Sequence, residues 1–224
     1  MVDVNAITVA LYVDNLSLLS IFQSMISGTV YGVVLNDQSE RAALSGAFLE
    51  APYRAPPEAP VLYIKPRNTI SASDSIVAVP ADIAEVTVAA TLALAIGDRG
   101  QPVAARLAID VSEPHDCYFR PAIRERCRDG FLPLGPEGAL PNPTEQIVTL
   151  IDGHEVHRWS LDRLVSPMPE LLHDIGCFMS LLPGDILLIG LAGDAPKARP
   201  GQTVTVQCGD RLPLVAHIGV EKEA

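Results

Sequence analysis

Apolar residues along the chain fall in short runs that prolines and glycines separate. There are 19 prolines and 16 glycines in 224 residues, and this punctuation favours short strands joined by long loops. Residues 85–97 (EVTVAATLALAIG) are apolar at almost every position, so we predict a buried strand there. Further strands are predicted at residues 29–35, 61–66, 183–190 and 202–208.

Other patterns predict a hairpin and two helices. In residues 147–159 (IVTLIDGHEVHRW), two alternating runs flank an Asp-Gly pair, which is favoured in type I′ turns. Residues 38–50 predict a short amphipathic helix, and the proline-rich residues 51–60 predict a loop. Residues 168–182 have helical periodicity, and their apolar side consists of Leu171, Leu172, Ile175, Phe178 and Met179.

The composition indicates an aliphatic core. Apolar residues make up 48% of the chain and aromatic residues 5%, so Ala, Val, Leu and Ile must supply most of the core. The length suits one large domain or two small ones. The four cysteines form no CxxC pair, which is typical of reduced thiols in a cytosolic protein.

The N-terminal segment is apolar but does not have the pattern of an export signal. Asp3 and Asp14 interrupt it, and it lacks a basic region. No run reaches the roughly 18 apolar residues of a membrane span. We therefore expect a soluble, cytoplasmic protein with no membrane partner.

The distribution of positive charge is the first indication of a ligand. The net charge of −11 argues against nucleic acid as a partner. Residues 119–136 (FRPAIRERCRDGFLPLGP) nevertheless hold four arginines: Arg120, Arg124, Arg126 and Arg128. Any single arginine is best interpreted as a solvated residue that pairs with an acid such as Glu125 or Asp129. The cluster as a whole, together with Lys65 and Arg67, predicts a small polyanionic ligand, because the guanidinium fork matches a carboxylate.

Common catalytic motifs are absent from the sequence. There is no HExxH, P-loop, GxGxxG or GxSxG. The five histidines are scattered, and His154 and His157, beside the predicted hairpin turn, are best interpreted as solvated polar residues rather than metal ligands.

Four segments resemble the fumarylacetoacetate hydrolase superfamily, and in particular its branch in 4-hydroxyphenylacetate (homoprotocatechuate) breakdown. They are residues 28–36, 51–69, 119–136 and 181–190. The resemblance implies an α+β, mostly β fold of stacked mixed sheets with few short helices, usually dimeric, with the active site under a mobile lid. We accordingly predict an N-terminal extension at residues 1–27 and one family domain at residues 28–224.

The chain departs from the family at the metal site. Active members bind magnesium or a similar cation through Glu-x-Glu on a strand and a later Asp, oxygen ligands of the kind that such cations require. Ala89 and Thr91 stand at the two glutamate positions, and only Asp110 matches the third ligand. We predict that the family metal site is lost and that the protein uses no cofactor.

Other family positions are also changed. Glu40 and Ala43 stand where the lid carries a His-x-x-Glu dyad for proton transfer, and Arg126 replaces the catalytic lysine. Residues 189–192 replace a TGTP substrate loop, and the stretch between Gly97 and Asp110 is shorter than usual.

The resemblance implies a carboxy-lyase that decarboxylates 5-oxopent-3-ene-1,2,5-tricarboxylate, whose three carboxylates suit the arginine cluster. The predicted residues for carboxylate or enolate binding are Arg120, Arg126 and Lys65, with Arg67 and Arg128 secondary. Asp110 or Glu40 is predicted to manage the proton. The chain is expected to form a homodimer or a heteromer with an isomerase subunit. The alternatives are a non-catalytic, metal-free partner of that isomerase, or a metal-free hydratase or isomerase of another dioate.

Overall fold

The computed structural model describes residues 26–115 and 120–221. Within these ranges the chain is mostly β. The strands are β1 (Val30–Val34), β2 (Val61–Lys65), β3 (Ile70–Ala72), β4 (Ser75–Val79), β5 (Val86–Ile96), β6 (Pro102–Ser112), β7 (Leu132–Leu134), β8 (Gln146–Ile151), β9 (His154–Ser160), β10 (Ile186–Leu188), β11 (Lys197–Ala198), β12 (Thr203–Gln207) and β13 (Leu214–Val220). The helices are α1 (Gln38–Ala43), α2 (Ile123–Arg126) and α3 (Met168–Gly176).

The strands form two mixed sheets. The larger sheet has the order β2-β1-β10-β5-β6-β7-β3, and β11 pairs with β5. The smaller sheet has the order β4-β13-β12-β8-β9. Strand β1 runs parallel to β10, β3 to β7 and β4 to β13, whereas the other named pairs are antiparallel. The prediction of mixed sheets with few short helices is therefore confirmed.

The two faces of β5 have different side chains. Val88, Leu92 and Leu94 belong to the main apolar core, together with Trp159 and Val204 from the smaller sheet. Successive side chains of a strand point to opposite faces. The opposite face of β5 therefore carries the small residues Ala89, Thr91 and Ala93. Because both faces are buried, β5 has no polar face, which explains its continuous apolar run.

The local predictions are confirmed in most places. The strand predicted at residues 85–97 is β5, and β8 and β9 form the predicted hairpin. The hairpin turn has positive φ at both central residues, Asp152 (51°) and Gly153 (81°), as a type I′ turn requires. The helix predicted at residues 38–50 is interrupted, because α1 ends at Ala43 and only a 3-10 turn follows at Ala47–Leu49.

One part of the α3 prediction was wrong. Leu171 and Ile175 are buried as expected, but α3 ends at Gly176 and Phe178 is 58% exposed. Glycine is a poor helix residue, and the helix ends there, two residues before Phe178.

The predicted N-terminal extension lies mostly outside the described residues. Of its last two residues, Ile26 is buried and packs in an apolar cluster with Val30 and Ile186. No helix in the described part of the chain is both long and apolar enough to cross a membrane.

Candidate active site

A buried ion cluster lies where β2, β6 and α2 meet. Lys65 ends β2, Asp110 lies within β6, and Arg126 ends α2. Lys65 Nζ is 3.1 Å and Arg126 Nη1 is 3.3 Å from the same carboxylate oxygen of Asp110. The side chains of Lys65 and Asp110 are fully buried, and that of Arg126 is 10% exposed. One carboxylate therefore faces two cations.

Tyr63 completes this cluster. It lies two residues before Lys65 in β2, so both side chains are on the same face of the strand. Its hydroxyl donates a hydrogen bond to Asp110 Oδ2, and the Arg126 guanidinium lies 5.1 Å from the centre of its ring, within cation–π range. Both oxygens of Asp110 are thus hydrogen-bonded.

The cluster holds Asp110 as an anion. Burial alone raises the pKa of Asp110, but the charges of Lys65 and Arg126 and the hydrogen bond from Tyr63 outweigh it and keep the pKa below its usual value. Burial also lowers the pKa of Lys65, and the attraction of Asp110 offsets this only in part.

Lys65 faces the interior of the protein rather than a ligand. Its Nζ lies 3.1 Å from Asp110 Oδ1, 2.6 Å from the carbonyl oxygen of Arg126 and 3.3 Å from that of Val111. These three acceptors match the three N–H donors of an ammonium group. Lys65, which the sequence assigned to substrate binding, therefore ties the end of α2 to β6 and so positions Arg126.

A cavity of about 350 Å³ lies against Arg126. Its polar lining includes His115, Arg120 and Arg126, and its apolar lining includes Val34 and Val61. This mixture suits a small anion with a carbon skeleton. A larger cleft of about 690 Å³ beside α3 is lined by none of the predicted site residues.

The arginine cluster of the sequence does not converge on one point. Arg120 and Arg126 line the cavity, whereas Arg128 donates to Glu113 through its Nε atom. Arg124 is exposed on α2, and Arg67 is exposed in the 3-10 turn after β2. Arg126 and Arg120 are thus the two arginines placed to contact a ligand in this cavity.

Glu40 is placed elsewhere. It lies on α1, whose N-terminus is capped by the Asp37 side chain, and its Cβ and Cγ pack closely against Gly193 in the loop after β10. It does not line the cavity beside Arg126, and Ala43 of the same helix is exposed. The other residue predicted to manage the proton, Asp110, lies within the ion cluster behind Arg126.

His115 is a cavity residue that the sequence reasoning missed. Its Nδ1 lies 2.9 Å from the carbonyl oxygen of Glu113, and Arg126 Nε donates to its Nε2 over 3.3 Å. In the sequence it was one of five scattered histidines. The signal that points to it is its position between Asp110 and the arginine-rich segment.

The residues at the family metal position do not fit a divalent cation. Ala89 is the direct cross-strand partner of Asp110, so the two family positions are adjacent, but Ala89 lies in an apolar cluster with Val34 and Leu191. Thr91 donates its hydroxyl to the Gly190 carbonyl over 2.6 Å.

Asp110, which stands at the third family ligand position, is also engaged by other groups. Asp110 already binds two cations, which would repel a metal ion. Within residues 26–115 and 120–221, no group of three or more His, Cys, Asp or Glu residues is arranged to hold a metal ion.

The comparisons with known proteins agree with this architecture. The model of the fumarylacetoacetate (FAA) hydrolase C-terminal family matches residues 29–220, and the chain belongs to this family. It is 37% identical over 200 residues to the 4-hydroxyphenylacetate degradation bifunctional isomerase/decarboxylase of Escherichia coli, an alignment that covers 84% of this chain and 44% of that protein. A homoprotocatechuate catabolism bifunctional isomerase/decarboxylase, also from Escherichia coli, is 36% identical over 84% of this chain and 45% of its own length. The predicted resemblance is thus confirmed, and the chain spans less than half the length of these relatives.

Solved structures show the same fold. A 5-carboxymethyl-2-hydroxymuconate delta-isomerase from Mycobacterium smegmatis superimposes with a TM-score of 0.73 at 22% identity, covering 88% of this chain and 81% of that one. A fumarylpyruvate hydrolase from Pseudomonas aeruginosa, in complex with Mn²⁺ and pyruvate, has a TM-score of 0.72 at 19% identity, covering 87% and 90%. At these identities the likeness concerns the fold alone.

Proposed function

We propose that the chain is a cytoplasmic carboxy-lyase that decarboxylates 5-oxopent-3-ene-1,2,5-tricarboxylate in homoprotocatechuate catabolism without a metal ion. The observation that carries this proposal is the position of Arg126, which shares the Asp110 carboxylate with the buried Lys65 and lines the cavity together with Arg120. The names of the two Escherichia coli relatives support the same reaction.

The reaction needs a group that accepts the electron pair of the broken C–C bond. When the carboxylate leaves as CO₂, the electron pair of the broken C–C bond moves through the adjacent double bond to the carbonyl oxygen. That oxygen becomes an enolate, and a cation fixed in advance stabilises it without rearranging. Arg126 is held in place by Asp110 and Tyr63, so it is preorganised for this task, and Arg120 is placed to bind a second carboxylate.

Lys65 and Asp110 act through Arg126 in this scheme. Lys65 holds the carbonyl oxygen of Arg126, and Asp110 orients the guanidinium. Because arginine keeps its proton, we assign Arg126 to charge stabilisation and not to proton transfer.

The test is decarboxylation of the tricarboxylate by the purified chain, alone and mixed with a metal-bearing isomerase subunit, with CO₂ release measured in the presence and absence of EDTA. Replacing Arg126 with Ala should lower kcat/KM by the equivalent of about 2 to 4 kcal/mol, the effect of one lost preorganised donor. Arg126→Lys should recover part of this loss, because it restores the charge but not the fork.

Arg124→Ala is the matched control, because Arg124 lies on the same helix but is exposed. It should behave as the wild type does. If Arg126→Ala also retains wild-type activity, Arg126 has a structural role only.

A second candidate function is a non-catalytic subunit that pairs with an isomerase. The apolar packing of Ala89 at the family metal position favours it. The same experiment separates the two candidates, because a non-catalytic subunit releases no CO₂ in either mixture and instead changes the activity of its partner. Size measurements on the mixture would distinguish a homodimer from a heteromer.

A further inference from the structure

Decarboxylation of this substrate consumes a proton, and this inference rests on the proposed function. The trianion loses neutral CO₂, and the enolate oxygen must gain one proton to yield the dienol dianion. The enzyme must therefore collect one proton from solvent in each turnover and deliver it within the cavity. Arginine does not release its proton, so Arg126 and Arg120 cannot deliver it.

Apart from the two arginines, the titratable lining residues in the described part of the chain are His115, Tyr63 and Cys127. The Tyr63 hydroxyl donates to Asp110, and the Cys127 thiol donates to the carbonyl oxygen of Ile64. Burial raises the pKa of Cys127, which keeps that thiol protonated. Histidine is the residue type that gains and loses a proton near neutral pH, and His115 is the histidine among these lining residues.

The hydrogen bonds of His115 define its tautomer. A carbonyl oxygen only accepts hydrogen bonds, so Nδ1, 2.9 Å from the Glu113 carbonyl oxygen, carries the ring proton. Arg126 Nε donates to Nε2, so Nε2 presents its lone pair beside the cavity. In this arrangement Nε2 is the ring nitrogen that can take up a proton, and it lies next to the arginine that is assigned to the enolate.

Glu113, whose carbonyl oxygen contacts the ring, is itself anchored. The Glu113 backbone N–H donates to the carbonyl oxygen of Glu125 over 2.9 Å, and the buried Glu113 carboxylate accepts a hydrogen bond from Arg128. Among the described residues, the charged groups near the ring include Arg126 and Arg120 on the cavity side and the Glu113–Arg128 pair behind it. Arg128 thus helps to fix Glu113, whose carbonyl oxygen contacts the His115 ring.

We propose that His115 is the catalytic acid that protonates the enolate oxygen. A bound carboxylate takes Arg126 as its partner and releases Nε2, and the added negative charge favours proton uptake by the ring from solvent. As the C–C bond to CO₂ breaks, its electrons reach the carbonyl oxygen, and the Nε2–H bond delivers its proton there. The ring returns to its neutral form, and the dienol leaves.

The test compares His115→Gln with His115→Ala. A glutamine side chain can accept the hydrogen bond from Arg126 but cannot carry the proton, so its KM should stay near the wild-type value while kcat falls roughly 10²- to 10⁴-fold. The pH dependence of kcat that histidine titration causes should disappear.

Imidazole should partly rescue His115→Ala but not His115→Gln. The control variant His154→Gln, on the exposed hairpin, should match the wild type. Thermal unfolding confirms that each variant is folded.

A binding measurement separates this inference from the proposed function. Calorimetry of pentane-1,2,5-tricarboxylate binding in two buffers of different ionisation enthalpy reports proton uptake, which the wild type should show and His115→Gln should lack. Equal proton uptake in both proteins, or a His115→Gln enzyme with the wild-type kcat and pH profile, overturns the role of His115.

The wild type could release no CO₂ and yet take up a proton on binding, while His115→Gln takes up none. In that case the decarboxylase proposal fails and the proton-carrying role of His115 stands. If the wild type does not bind the tricarboxylate, both fail.

Discussion

Two buried aspartates, Asp110 and Asp37, differ in the charged groups that surround them. Each is fully buried and each contacts an arginine. Asp110 faces two cations, Lys65 and Arg126, and its site adjoins a cavity.

The surroundings of Asp37 have the opposite balance of charge. Asp37 accepts hydrogen bonds from the Trp159 indole over 2.7 Å and from the Glu40 backbone N–H over 3.0 Å. It shares Arg163 with a second carboxylate, Asp194. Asp37 thus joins α1 to the smaller sheet, whereas the Asp110 cluster places two cations on one carboxylate, and one of them, Arg126, lines a cavity. Burial of an aspartate does not by itself mark a functional site; at Asp110 the mark is the bound arginine that also lines a cavity.

The largest expected difference between the two clusters is in stability. Asp110→Ala leaves Lys65 and Arg126 without their carboxylate and should lower the free energy of unfolding by about 3 to 5 kcal/mol. Asp37→Ala leaves mainly neutral donors unsatisfied and should cost about 1 to 3 kcal/mol. Urea unfolding followed by circular dichroism measures both values. Equal losses would mean that the charge imbalance at Asp110 is screened in the folded protein.

The pH dependence of stability should sharpen this comparison. The folded pKa of Asp110 lies below its ordinary value of 3.8, so its contribution is fully present above that ordinary value and is lost as the pH falls through the lower folded pKa. The stability difference between the wild type and Asp110→Asn should therefore be constant near neutral pH and shrink below about pH 4. A difference that grows on acidification would show that the folded pKa is raised instead.

The smallest expected effect concerns metal ions. Because Ala89 and Thr91 supply no carboxylates and Asp110 is bound by two cations, Mg²⁺ and Mn²⁺ should bind no better than to a generic acidic surface. Adding millimolar Mg²⁺ should leave the melting temperature of the wild type and of Asp110→Asn equally unaffected. Tight one-to-one binding in calorimetry, reversed by EDTA, would contradict this and favour a metal-dependent isomerase.

Motif positions in the sequence led to Asp110 and Arg126, and the structure brings these two residues together. They could be found because the chain keeps short local patterns around them. Lys65 was also found, but its ligand-binding assignment treated a charged side chain as one that faces a ligand. Its three internal hydrogen bonds become visible only once β2, β6 and α2 meet.

Tyr63 and His115 were not predicted. An alternating strand gives no sign of which tyrosine reaches a buried carboxylate 47 residues away. His115 is close to Asp110 in sequence, but its contact with Arg126 depends on how the chain returns through α2.

The sequence by itself determined the elements whose physics is local. The continuous apolar run of β5 requires burial on both faces, and the Asp152–Gly153 pair specifies its turn through positive φ. Only the tertiary structure decided which charges compensate each other, because the energy of a buried charge depends on partners that the fold brings from distant positions. That is why four arginines in one segment became a cavity pair, an ion pair with Glu113 and a solvated residue.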